Sequence, residues 1–281
     1  MGKAWPALDI HVPGCDPQLQ ELVLAELDDF QPTAIQEPDD SSPLRAFFTT
    51  FASRDAAARA LGASFGSHLF VQSLNVEDEG WAARSQAQLR AIAIGQILVA
   101  PPWDLGSGPL TGMTRIVIQP SMGFGTGHHA TTRLMLRALQ AVPLRDRTVL
   151  DIGCGSGILA IAAATLGARS AIGIDIDEDA LLNASENLTL NAVSGRVRFE
   201  ERDFRDRSSA EDVVLANLTG ALIEKSAAKL AELVGRGGYL IVSGFMETER
   251  TMVVAALEAL VTLETIDQED EWMCAVCRRS A

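Results

Sequence analysis

The stretch from Val149 to Asp177, VLDIGCGSGILAIAAATLGARSAIGIDID, limits what this chain can fold into more than any other. Thr148 to Ile152 is a short apolar run suited to a strand buried on both faces, and Gly153, Gly155 and Gly157 then alternate through a turn where a ligand can touch backbone. Ile158 to Leu166 is apolar, alanine-rich and free of breakers, so it reads as a buried helix whose first amides point back at whatever occupies the turn. Gly167 ends that helix. Ala171 to Ile174 reads as the next buried strand, and Asp175 at its carboxyl end lies 22 residues after Gly153, where a carboxylate can grip two ribose hydroxyls. This order of elements implies a bound nucleoside cofactor.

Two cofactor classes fit the turn. Gly155-Ser156-Gly157-Ile158-Leu159-Ala160 satisfies the dinucleotide pattern G-x-G-x-x-A, which keeps an NAD-linked oxidoreductase open. The longer frame Asp151-Ile152-Gly153-Cys154-Gly155-Ser156-Gly157 fits D-x-G-x-G-x-G better, and in this it closely resembles the S-adenosylmethionine-dependent methyltransferases. Glycines serving only close strand–helix packing would leave the acid at Asp175 unexplained.

At 281 residues the chain is long enough for two domains. Its first part reads as strand, helix, strand, strand, helix, strand. Leu8, Ile10 and Val12 alternate; Asp16 and Pro17 open a helix carrying Leu19, Leu22, Val23 and Leu27; Thr33 to Gln36 and Leu44 to Phe51 are strands. Ser53 is the expected cap of the next helix, and His68 to Val76 the last strand. That order predicts a small α+β ferredoxin-like domain over residues 1–76. Residues 77–91 read as a charged linker helix, and Ile92 to Ala100 as a strand. Within 92–281, helices near 129–142, 156–166, 178–191, 218–233 and 247–260 alternate with apolar strands. The expected class is therefore α/β, a Rossmann-like, mostly parallel sheet. Its last two strands, near 262–267 and 272–278, have no helix between them and form an antiparallel edge.

Charge narrows the partners. Asp and Glu outnumber Lys and Arg 37 to 23, a net charge of −14 that opposes direct binding of nucleic acid and favours a basic protein partner. No apolar run reaches membrane-spanning length and the N-terminus lacks a signal-type core, so a cytoplasmic protein without membrane association is expected. Cys274 and Cys277 form a C-x-x-C inside a strand-like stretch, where the two sulfurs face opposite sides. No second close pair accompanies them, so no metal is expected.

Ligands of open α/β sheets lie beyond the carboxyl ends of the strands. That rule selects Gly153 to Gly157, Asp175 to Asp177 and Ala216-Asn217-Leu218-Thr219-Gly220. Asn217 offers a donor and an acceptor there, unless it only caps the next helix. Asp203, just after another strand, stands where an adenine amino group is commonly met. Ahead of the sheet runs QPSMGFGTGHHATT, residues 119–132, whose glycines suit a loop that closes on a ligand.

These motifs, FGTGHHATT, DIGCGSGILAIAA, GIDID, ANL and SGF, together resemble the ribosomal protein L-eleven methyltransferases of PrmA type. The similarity runs from about Glu77 to Ala281. The resemblance implies that Thr132, Gly153, Asp175 and Asn217 contact S-adenosylmethionine, with Gly155 and Gly157 in the same turn. Phe124, Gly125, Thr126 and Gly127 would form the loop over the cofactor. It also implies methylation of lysine or N-terminal amines on a ribosomal large-subunit protein, with S-adenosylhomocysteine as product. Two family patterns differ here: N-I-L-A is replaced by Asn217-Leu218-Thr219-Gly220, and T-H-P-T-T by His128 to Thr132. The first 75 residues match family sequence poorly, which leaves open a lysine methyltransferase of another cytoplasmic protein, such as an electron-transfer flavoprotein.

Methyl transfer from a sulfonium to an amine is an in-line displacement that mainly requires alignment. The amine must be neutral, and deprotonating a lysine at pH 7.4 costs about 4 kcal/mol unless the site lowers its pKa. An apolar mouth containing Phe124, with Asn217 accepting a hydrogen bond from the amine, would do so. These two are the expected catalytic residues. A proton relay through His128 and His129 is the further possibility.

Overall fold

A computed structural model describes residues 4–12, 17–28, 30, 32–36, 43–77, 89–105, 112–120 and 127–281. The chain divides into two units, Met1–Ala83 and Arg84–Ala281.

In the first unit β1 (Ala4–His11), α1 (Pro17–Asp28), β2 (Ala34–Gln36), β3 (Leu44–Phe47), α2 (Phe51–Phe65) and β4 (Phe70–Glu77) follow in order. The strands pair antiparallel in the order β2-β3-β1-β4, which is the ferredoxin-like arrangement. Register decides which face is core. Leu8 lies opposite Ala46 and Ile10 opposite Leu44, and these meet Val23, Leu27, Ala57 and Leu61 of the helices. The start of α2 differs from expectation. Thr50 takes the extended cap conformation and its hydroxyl accepts the Ser53 amide at 3.1 Å, so Ser53 lies inside the helix instead of capping it.

The second unit opens with β5 (Ile92–Ile94), β6 (Ile97–Ala100) and β7 (Thr114–Val117), a small sheet of its own. Ile92 to Ala100 is thus a hairpin and not one strand, because Gly95 turns the chain at φ +59°. Gln140 secures the turn, accepting the Gln96 amide at 2.7 Å and donating to the Ile94 carbonyl at 3.0 Å. Most of the expected linker helix, residues 78–88, lies outside the described residues.

Next come α3 (Ala130–Ala141), β8 (Thr148–Ile152), α4 (Ile158–Thr165), β9 (Ser170–Asp175), α5 (Glu178–Thr189), β10 (Val197–Glu201) and β11 (Glu211–Asn217). The chain finishes with α6 (Gly220–Glu232), β12 (Val234–Met246), α7 (Arg250–Glu258), β13 (Thr262–Glu269) and β14 (Trp272–Arg278). The large sheet runs β10-β9-β8-β11-β12-β14-β13, with its first five strands parallel and β14 antiparallel to both neighbours. Dinucleotide-binding sheets keep the order 3-2-1-4-5-6, so the inserted antiparallel β14 departs from them.

Period-two alternation sends Val149, Leu215 and Ile241 to one layer and Leu150, Val214 and Leu240 to the other. Helices α3 and α4 cover the first layer and α6 and α7 the second. Burying each such side chain contributes about 1.5–3 kcal/mol, and both faces are needed to cover strands this apolar. Cys274 belongs to the first layer and Cys277 to the second. Strand order reverses between β8 and β11, which opens a crevice at their carboxyl ends. No described helix is long and apolar enough to cross a membrane.

Candidate active site

A cavity of about 830 Å³ lies at that crevice, a size suited to a nucleoside-sized ligand. Its lining includes Gly153, Cys154, Gly155 and Ser156 after β8, Asp175 and Asp177 after β9, and Asn217, Leu218 and Thr219 after β11. Three loops separated in sequence meet there because their strands are neighbours in the sheet.

The glycine turn is built by backbone. Gly153 and Gly155 have φ of +65° and +50°, and the Gly153 and Cys154 amides donate to the Ile174 carbonyl at 2.9 and 3.1 Å. Gly157, also left-handed at φ +76°, does not line the cavity. A Cβ there would stand 2.5 Å from the Phe199 ring and 3.0 Å from Ala184, so this glycine serves close packing of the turn against α5 and β10. Asp151 is buried beneath the turn and accepts the Ala160 amide at 3.1 Å, tying α4 to β8. Burial, with the charge of Asp175 adding to it against the Ala160 bond, pushes its carboxyl up to about 7.

Asp175 accepts the Gly155 amide at 3.0 Å through one oxygen and the Ile176 and Asp177 amides at 2.8 and 3.1 Å through the other. The carboxylate is therefore fixed at the rim before any ligand arrives. Asp203 lines a neighbouring cavity with Ile176, Glu201, Arg202 and Asp206, not the first one. Hydrogen bonds from the Arg205 side chain and amide hold its carboxyl below the usual range.

On the other side Asn217 ends β11, and its Nδ2 donates to Thr131 Oγ1 at 3.2 Å. The cap position of α6 belongs to Thr219, so Asn217 is not that helix's cap. Thr131 Oγ1 lies 2.8 Å from His129 Nδ1, and the His129 ring meets Trp272 edge-on at 5.0 Å. Next along, Thr132 is 1% exposed and its hydroxyl finds no partner among the described residues although it lines the cavity. An orphaned hydroxyl at a cavity wall fits a ligand atom that completes it.

Of the expected cofactor residues, Thr132, Gly153, Gly155, Asp175 and Asn217 share the cavity. Gly127 packs elsewhere, with Val99 where its Cβ would be at 2.8 Å. Phe124, Gly125 and Thr126 lie outside the described residues.

Sequence reasoning missed Trp272, which β14 delivers opposite Met246, and also Asn187. Asn187 is fully buried, donates to the Ser156 carbonyl at 3.0 Å and accepts the Gln119 amide at 2.7 Å. It joins the glycine turn to the segment leading into residues 121–126. Asn183 and Asn187 share one face of α5 and Asn191 follows at the same spacing just past its end, a signal that could have marked it. Among the described residues no group of three or more His, Cys, Asp or Glu could hold a metal ion.

Comparison with known proteins identifies the family and the fold. Residues 14–280 match the family model described as ribosomal protein L11 methyltransferase (PrmA). The ribosomal protein L11 methyltransferase of Geobacter sulfurreducens is 41% identical over 204 residues, covering 72% of this chain and 67% of that one. Its counterpart in Deinococcus radiodurans is 35% identical over 214 residues, covering 72% and 78%. The fold is also similar to the crystal structure of a ribosomal protein L11 methylase from Lactobacillus delbrueckii subsp. bulgaricus. That similarity has a TM-score of 0.63 at 24% identity, covering 69% of this chain and 99% of that one.

Proposed function

Because the chain belongs to the ribosomal protein L11 methyltransferase (PrmA) family, we propose that it methylates amines of ribosomal protein L11 with S-adenosylmethionine as donor. The observation that carries this reading is a single cavity shared by the glycine turn, Asp175 and the Asn217 amide. When bound, S-adenosylmethionine supplies an electrophilic methyl group on a sulfonium. In this reading the Gly153 to Ser156 backbone and Asp175 hold the nucleoside and Thr132 gives its orphaned hydroxyl to the donor. Leu218, Leu222 and Trp272 supply apolar wall.

Asn217 addresses the acceptor. Its Nδ2 is committed to Thr131, which leaves Oδ1 to accept from the amine and to direct the nitrogen lone pair. A carbonyl acceptor in a partly apolar cavity favours the neutral amine, lowering the roughly 4 kcal/mol cost of deprotonation at neutral pH. Asp177, Asp179 and Glu186 also line the cavity and suit a cationic donor and a lysine-bearing protein.

The rest of the reading concerns delivery. Residues 1–76 act as the recognition domain for a basic ribosomal protein, residues 77–91 as the connector and residues 92–281 as the donor-binding domain. The substrate is bound as protein, without direct contact to nucleic acid, in the cytoplasm.

The test incubates purified protein with methyl-labelled donor and isolated ribosomal protein L11, with Asn217→Ala in parallel. Labelled L11 with the wild type, and turnover lowered much more than substrate affinity in the variant, supports the reading. Labelling of some other protein from a cell extract, but not of L11, would replace it with a different lysine methyltransferase.

A further inference from the structure

We propose that His129 is a positioning residue which, through the Thr131 hydroxyl, fixes the Asn217 amide with its oxygen toward the acceptor amine. This rests on the reading that Asn217 faces that amine.

The chain of bonds has one consistent direction. Asn217 Nδ2 donates to Thr131 Oγ1 at 3.2 Å, and a hydroxyl that accepts there has one proton left to give. Its neighbour is His129 Nδ1 at 2.8 Å, which also accepts the Thr131 amide at 3.4 Å. Nδ1 is thus the acceptor that ends the chain. Turning the Asn217 amide over would bring Oδ1 to the Thr131 hydroxyl, draw its proton back and break the 2.8 Å bond to Nδ1. His129 thereby selects one of two amide orientations that differ little in shape.

The imidazole is itself held. Its ring stands edge-on to Trp272, and the carbonyl of the preceding His128 accepts from Arg133, whose guanidinium pairs with Glu269. Helix α3 and the β13–β14 hairpin so fix a side chain 88 residues before Asn217 in sequence. A plain helix cap would need only the Thr131 amide. The second link, from the hydroxyl across to the end of β11, is what a cap does not require.

Full-length protein, labelled with ¹⁵N-asparagine, provides the test. His129→Ala is expected to lower kcat on ribosomal protein L11 about 5- to 30-fold, with KM for the protein and affinity for S-adenosylhomocysteine within about 3-fold. His129→Asn places a carbonyl oxygen where Nδ1 stood and should restore kcat to within about 3-fold of the wild type. Thr131→Val added to His129→Ala should cost little more, since both break one chain. The Asn217 side-chain amide signals, identified by their loss in Asn217→Asp, should shift or broaden in His129→Ala and return in His129→Asn. Full kcat in the folded fraction of His129→Ala would overturn the proposal, as would a lost rate with unaltered Asn217 signals. A wild type inactive on L11 would remove the functional reading, and the amide signals would still decide the orientation.

Discussion

The cavity's two sides are made of different material. On the donor side, residues 153–156 and Asp175 come from one continuous β8–α4–β9 unit and act mostly through backbone amides and one carboxylate that those amides hold. On the amide side, His129, Thr131, Asn217, Gly244 and Trp272 come from four segments spread over more than half of the chain. A local unit keeps its geometry when a side chain changes, because its bonds are to neighbours. A side gathered from distant elements keeps its geometry only while every element stays in register. Damage should therefore appear as lost donor affinity on the first side and lost turnover on the second.

The strongest break is expected at Gly244. This residue has φ +92°, and a Cβ on it would stand 2.3 Å from the Leu218 carbonyl oxygen and 3.1 Å from Asn217 Oδ1. Gly244→Ala must push the loop after β11, so Asn217 moves with it. A misplacement of this kind costs on the order of 100-fold in turnover. Affinity for S-adenosylhomocysteine should stay within a few-fold, and equal losses in both quantities would erase the distinction between the two sides.

That contrast also accounts for what was legible beforehand. The sequence of the donor side shows its periodicities, glycines and acid in one run, so the strand, turn, helix and Asp175 are read directly. The strand-end rule reaches Asn217 and family resemblance adds Thr132, but nothing local in the sequence could place Trp272 beside His129. Their meeting depends on β14 pairing antiparallel with β12, which brings Trp272 opposite Met246. Gly157 alternates with the ligand-binding glycines in the sequence, yet Phe199 on β10 is what requires it. Likewise the Ile92 to Ala100 run conceals a hairpin, since one glycine at φ +59° counts for more than the apolar pattern on either side.

The next largest effect belongs to the donor side. Asp175→Ala removes a charge-assisted grip worth about 1.5–3 kcal/mol, so affinity for S-adenosylhomocysteine should fall about 10- to 150-fold. Calorimetry measures this. Unchanged affinity would remove Asp175 from the ribose and with it the assignment of this side to the donor.

Asp151 sharpens the comparison through pH. Its buried carboxyl titrates near 7 in the folded protein against 3.8 unfolded, so the folded state holds a proton that the unfolded state has already released. Folding stability from this group is complete below about pH 4 and declines as pH rises through 7. Asp151→Asn carries no such proton. Between pH 5 and 8 the wild type should lose about 2–3 kcal/mol relative to the variant, read as a pH-dependent change in the difference between their melting temperatures. A difference that stays constant over this range would show that Asp151 is not the group responsible.

The smallest effect separates binding from stability by sign. Thr132 Oγ1 is buried without a partner among the described residues, so in the free protein it carries a desolvation penalty that no described side chain or backbone group offsets. Thr132→Val keeps the shape and removes the hydroxyl. The free enzyme should then unfold at higher temperature, by roughly 1 kcal/mol of added stability, because an unsatisfied polar atom has gone. If the hydroxyl is held in reserve for the donor, the same change should weaken S-adenosylhomocysteine binding about 3- to 10-fold, since the bound ligand loses one hydrogen bond. Stability rising while affinity falls is the signature of a polar atom kept unpaired for a ligand. Higher stability with unaltered affinity would instead mean that the donor never reaches Thr132, and the donor side would end at the glycine turn and Asp175.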